Sequence, residues 1–106
     1  MKKENIFKNI TKNPDKEIFE DIISKDGIKI ERIISHGQTS PKKGWYDNKK
    51  DEWVMILKGK AILSFKNGTD VKLKKGDYIN IPPHTKHKVS WTLPDEETIW
   101  LAVHYQ

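Results

Sequence analysis

The chain predicts an all-β domain, a small sandwich or barrel, and three observations carry that expectation. Short segments of strand length follow one another along most of the chain. Gly, Pro and Asn-Gly punctuate them at regular spacing. A chain of 106 residues builds a single core, and its four Trp, three Tyr and three Phe supply the large side chains that a thin barrel wall needs.

Residues 1–13 mix Lys and Asn with Ile6, Phe7 and Ile10 and read as an irregular arm that covers a sheet edge or a partner subunit. Asn13-Pro14-Asp15 signals a turn or a helix start. The following EIFEDIIS fits helix or strand by periodicity; strand is preferred, because Lys25-Asp26-Gly27 then makes a hairpin turn into IKIERIIS. In that segment Ile28, Ile30, Arg32 and Ile34 alternate with Lys29, Glu31 and Ile33. Ser35 to Lys50 has no strand character, and loops of that length in small domains tend to be functional. Then come EWVMILKG, KAILSFK, an Asn67-Gly68 hairpin turn, DVKLKKG, DYINIPP, KHKVSWT and TIWLAVHY. The expected organisation is one structural domain in which residues 1–27 supply the arm and first strand and residues 28–106 the barrel.

Composition narrows the function. The net charge is +5, but the positive charge is nearly all lysine, interleaved with Asp and Glu, and Arg32 is the one arginine. Bidentate reading of phosphates and bases relies on arginine, so a nucleic-acid partner is disfavoured. With no cysteine, any metal must be held by nitrogen and oxygen ligands. No apolar run is long enough for a signal peptide or a membrane span, and a cytoplasmic protein is expected by default. No Ser-His-Asp pattern, phosphate loop or Gly-rich nucleotide fingerprint occurs.

Two stretches carry chemistry. In GDYINIPPHTKHKVSW a Pro-Pro turn lies between two strand patterns and brings His84 and His87. In WYDNKKDEWVMILKG the acidic Asp47, Asp51 and Glu52 run into an apolar strand. Carboxylates on one strand and imidazoles on another could converge inside a small barrel. Alternation puts Glu52 on one face with Val54 and Ile56, His87 with Val89 and Trp91, and His104 with Trp100 and Ala102.

These residues resemble the cupin superfamily, small jelly-roll barrels built as a double-stranded β-helix. The second cupin motif, G-x5-P-x-G-x2-H-x3-N, is matched by Gly76, Pro82 and His87, with His84 in place of the turn glycine and Trp91 in place of the asparagine. The first, G-x5-H-x-H-x3/4-E-x6-G, is matched at its end by Glu52 and Gly59. Its histidine pair is absent; depending on the spacer it falls on Trp45 and Asp47 or on Tyr46 and Asn48. The phrases ERIISHGQ, WYD, DEWV, GDYINIPPHTKH and WLAVHY, from Ile28 to Tyr105, look like those of small single-domain bacterial cupins.

The resemblance implies a jelly-roll barrel, a homodimer, and a mononuclear divalent metal (Fe, Mn, Ni or Zn) held by Glu52 and His87, with Asp47 and His84 completing the set. Asp47 could instead cap the turn, and His84 could face solvent. Trp45, Tyr46, Trp91, His36 and His104 are candidate pocket-lining residues. The function so implied is oxidation, isomerisation or a related proton transfer on a small oxygenated metabolite. The alternative is a non-catalytic binding or sensing barrel without a functional metal.

Overall fold

The strand patterns are realised in order. The computed structural model describes residues 1–106 and holds eight strands and no α-helix: β1 (Ile18–Lys25), β2 (Ile28–Ser35), β3 (Asp51–Lys58), β4 (Lys60–Phe65), β5 (Asp70–Lys74), β6 (Tyr78–Ile81), β7 (His87–Thr92) and β8 (Thr98–Tyr105). All pairings between named strands are antiparallel, in a five-stranded sheet of order β1-β2-β8-β3-β6 and a three-stranded sheet of order β5-β4-β7. The all-β jelly-roll expectation holds. No helix is long and apolar enough to cross a membrane.

Sheet alternation builds the core. Val54, Ile56, Ala61, Leu63, Leu73, Ile81, Trp100 and Ala102 form one buried cluster drawn from both sheets. Burying each larger member contributes about 1.5–3 kcal/mol. The turn between β3 and β4 requires glycine: Gly59 has φ +90°, and a Cβ there would stand 2.5 Å from Thr98 Oγ1 and 2.8 Å from Thr98 Cα.

Strand β1 pairs with β2 along its length, so residues before Ile28 belong to the same sheet as the barrel. The arm crosses the outer face of β2. Buried Arg32 donates to the carbonyls of Ile6 and Lys8 (both 2.8 Å) and Asn9 (3.2 Å), and its Nη2 meets both oxygens of Glu20 at 2.9 and 3.0 Å. The isoleucine-bearing face of β2 is thus the arm's side of the sheet. Glu31 and Ile33 face the barrel interior.

Two features decide what reaches the interior. First, the long segment before β3 lies along β7 through two isolated bridges, Ser40 with Val89 and Tyr46 with His87. Second, the pairing of β4 with β7 shifts between Ile62 and Leu63, so that Ile62 faces Trp91 while Leu63 faces Val89. The extra residue, Ser90, breaks the alternation. Trp91, expected to line the pocket beside His87, is turned outward and 38% exposed.

Candidate functional site

A cavity of about 110 Å³ opens between the sheets, lined by Glu17, Glu31, Glu52, Asn48, His87 and His104 among polar residues, with Ser40 and Tyr46 at one wall and Val54, Leu63 and Trp100 at its apolar floor. Strand order explains the convergence. β8 lies between β2 and β3, and Glu52 pairs directly with His104. His104 Nε2 therefore stands 2.9 Å from Glu31 Oε1 on one side and 3.8 Å from Glu52 Oε2 on the other.

His87 is 3% exposed and arrives from the opposite sheet. Its Nδ1 lies 2.7 Å from the carbonyl of Thr85, which can only accept, so that partner assigns a proton to Nδ1. Its Nε2 faces Glu52 Oε1 at 3.2 Å. A neutral imidazole would set a lone pair against a carboxylate there. The contact needs a proton, and an imidazolium donating to Glu52 supplies it. Burial by itself would push the His87 pKa down, but the Glu52 hydrogen bond, the Thr85 carbonyl and the Glu52 charge together hold it above the ordinary value.

The rest of the lining is tuned by the same carboxylates. Burial would raise the Glu31 carboxyl, yet the His104 hydrogen bond and nearby Lys29, 3.7 Å away, hold it below its ordinary value. The Tyr46 phenol is pushed up, first by burial and then by Glu17, Glu52 and Glu31, against a contact with Ser40 that lowers it. It stays a neutral donor. Ser35 Oγ donates to Glu17 Oε2 (2.8 Å) and accepts from Trp100 Nε1 (3.2 Å), fixing the last carboxylate.

The candidates named from sequence divide clearly. Glu52, His87, Tyr46 and His104 line the cavity. Asp47 and His84 do not; they meet each other at 2.8 Å on the exposed surface. His84 occupies the turn with φ +57°, the conformation that favours glycine at that motif position, and its N–H donates to the Asn48 carbonyl at 2.7 Å. Trp45 stacks under Lys88 Nζ, 4.5 Å from the ring centroid, and His36 lies in a separate hollow beside Thr11 and Asn13. The bridge from Tyr46 to His87 selects the shorter spacer, so Tyr46 and Asn48 stand where the motif has its histidines. Glu17, Glu31 and Ser40 were not among the sequence candidates; nothing in local sequence marks them.

The donor set does not complete a metal cage. No three His, Asp or Glu side chains are grouped so as to hold an ion. Tyr46 and Asn48 stand where the motif has its histidines, Asn48 Nδ2 donates to Glu52 Oε1 (3.2 Å), and His104 Nε2 lies 2.9 Å from Glu31 Oε1. Glu52, His87 and His104 share the cavity, but each nitrogen is turned to a neighbouring carboxylate, His87 to Glu52 and His104 to Glu31, in place of a common point between them.

The cupin-domain family model matches residues 32–104. A crystal structure from Ralstonia eutropha JMP134, provisionally named a mannose-6-phosphate isomerase, is similar over 100% of this chain and 99% of its own, at 40% identity and TM-score 0.93. A cupin superfamily protein from Desulfitobacterium hafniense DCB-2 (16% identity, 91% and 83% covered, TM-score 0.76) and an RmlC-like cupin from Desulfovibrio desulfuricans (16%, 96% and 95%, 0.75) share the fold. A comparison with curated proteins returns no match.

Proposed function

The chain belongs to the cupin family, and on that premise we propose that its barrel is an isomerase-type proton-transfer site for a small hydroxylated carbonyl compound. The observation that carries this reading is the His87–Glu52 pair, an imidazole whose Nδ1 is fixed by a backbone carbonyl and whose Nε2 shares a proton with a carboxylate across the cavity. The provisional isomerase name of the 40%-identical Ralstonia protein supports the same reaction class.

The chemistry needs an acid and a base that both reach one carbonyl group and its α-carbon. The Glu52 carboxylate removes the proton from the carbon α to the carbonyl. His87 gives its Nε2 proton to the carbonyl oxygen as the C–H electron pair becomes the C=C bond of an enediol. Return of the Glu52 proton to the former carbonyl carbon, with loss of the neighbouring hydroxyl proton to His87, moves the carbonyl by one carbon. Nothing is oxidised or reduced overall, and both side chains end as they began. Tyr46, a neutral phenol on the cavity wall, is placed to hold a substrate hydroxyl, and His104 with Glu31 anchors the far side. A cavity of about 110 Å³ has room for roughly three or four water-sized groups, enough for the reacting end of a substrate.

The test is deuterium incorporation from D2O into a panel of aldoses and ketoses with and without phosphate, followed by proton NMR. Wild-type protein is expected to exchange the α-hydrogen of at least one compound, and Glu52→Gln to lose about 10²-fold or more of that rate. Exchange no faster than in buffer would overturn the catalytic reading; ligand-induced shifts of His87 without exchange would instead identify a binding or sensing barrel.

The same proposal includes a cytoplasmic setting and a homodimer. Edge strand β1 supports the dimer, since Phe19, Ile22 and Ile23 are exposed along it. Sedimentation equilibrium that returns the monomer mass of 12.4 kDa at all concentrations would refute it.

A further inference from the structure

Lysine and acidic residues alternate over most of this chain, but one groove departs from that pattern. It is lined by Ser24, Lys25, Ile28, Lys29, Asn48, Lys49, Lys50 and His104, four lysines with no carboxylate among them. Two of its residues, Asn48 and His104, also line the cavity. The groove holds about 420 Å³ and is therefore the roomier of the two. Topology makes the arrangement: Lys25 and Lys29 flank the β1–β2 turn, Lys29 pairs in register with His104, and Lys49 and Lys50 lead into β3 beside it.

The cavity itself is hostile to an anion. Glu17, Glu31 and Glu52 line it, and no lysine or arginine does. An anionic substrate would have to keep its charge outside. The groove provides the outside position, and Lys29 joins the two spaces: its Nζ lies 3.7 Å from Glu31 Oε2, which faces the cavity.

We propose that the lysine groove is the anion subsite of the cavity, taking the phosphate of a phosphorylated hydroxy-carbonyl compound while the carbonyl end passes between Asn48 and His104 to reach Glu52 and His87. This rests on the proton-transfer reading of the cavity and names its substrate class. Lysine ammonium groups suit the role as point charges that need no fixed geometry, whereas bidentate arginine is absent from the groove. The neutral end of the ligand then meets hydroxyl, phenol and carboxylate partners, and like charges are kept apart.

The experiment compares glyceraldehyde with glyceraldehyde 3-phosphate, and mannose with mannose 6-phosphate, by NMR titration and by deuterium exchange. Inorganic phosphate and glycerate serve as further probes. Wild-type protein is expected to prefer each phosphorylated partner, with phosphate perturbing His104 and Asn48, and the preference falling as salt rises. A Lys25→Gln, Lys49→Gln, Lys50→Gln variant should lose about tenfold of that preference, because three of the four lysine charges of the groove are removed. Lys72→Gln, Lys74→Gln, on the opposite sheet, removes charge without touching the groove and should retain it.

Equal treatment of phosphorylated and unphosphorylated partners would overturn the inference while leaving proton transfer in the cavity standing. So would a preference that the control variant loses equally, because it would then be a general charge effect. A stronger response to glycerate than to any phosphate would also overturn it, assigning the groove to carboxylates. Phosphate-dependent binding with no exchange of any compound would keep the groove and refute the catalytic reading.

Discussion

Replacing Glu52 by Gln isolates the contact on which the site depends. The carboxylate accepts from His87 Nε2 at 3.2 Å, and both side chains are largely buried, at 3% and 12% exposure. At that distance and an effective dielectric constant near 20, the two charges attract by about 5 kcal/mol. Desolvation offsets part of this, and charge-assisted hydrogen bonds contribute a net of roughly 1.5–3 kcal/mol. Glu52→Gln should therefore cost about 1.5–3 kcal/mol at pH 6, where His87 is an imidazolium. At pH 9 the cost should shrink toward zero, because the Gln amide can donate to a neutral Nε2. Two of the influences that raise the His87 pKa vanish in the variant while burial, which lowers it, remains. The His87 pKa should fall. Urea denaturation at the two pH values and imidazole NMR titration read both effects. An equal cost at pH 6 and pH 9, or an unmoved His87 pKa, would refute the shared proton.

Further outcomes follow from the same contacts. In wild-type protein the raised His87 pKa contributes stability that is fully present below the unfolded value near 6.5 and is lost as pH rises through the folded value; the lowered Glu31 pKa contributes above 4.5 and is lost as pH falls through its folded value. Denaturation midpoints should accordingly decline on both sides, and a flat profile from pH 3 to 9 would contradict the assignments. Gly59→Ala should cost about 2–4 kcal/mol, since positive φ and a clash with Thr98 backbone coincide; a urea midpoint unchanged from wild type would show that the turn relaxes freely. Arg32→Lys keeps the charge but loses the fork that holds Glu20 and three arm carbonyls, about 1–3 kcal/mol, and should make residues 1–13 the first site of limited proteolysis; unchanged protection would refute the clasp. His84→Gly should leave stability within about 1 kcal/mol, relief of the left-handed backbone offsetting loss of an exposed pair with Asp47; a loss well above that would show the pair to be structural.

Alternation made several inward residues legible from sequence. Glu52 faces inward with Val54, His87 with Val89, and His104 with Trp100, each as period-two spacing requires. The same rule failed where pairing slips: the irregularity at Ser90 sends Trp91 out. In β2 the face that carries Arg32 is the arm-covered one, so Glu31 and Ile33 enter the barrel, a fact set by an arm packing from far away in sequence. The choice between Trp45 with Asp47 and Tyr46 with Asn48 rested on a one-residue spacer, and only the bridge to His87 resolves it. The resemblance to the cupin motifs grouped Asp47 and His84 with Glu52 and His87. In the fold the first two pair outside the cavity, because the turn that carries His84 projects its ring to solvent.

The most direct test of proton transfer without a metal is deuterium exchange measured on one sample before and after exhaustive chelation, with metal content determined by elemental analysis at both stages. The account predicts that the α-hydrogen of the responsive hydroxy-carbonyl compound exchanges at the same rate in metal-stripped protein and that Glu52→Gln abolishes it. Loss of exchange on chelation, restored by stoichiometric iron, manganese, nickel or zinc, would contradict it.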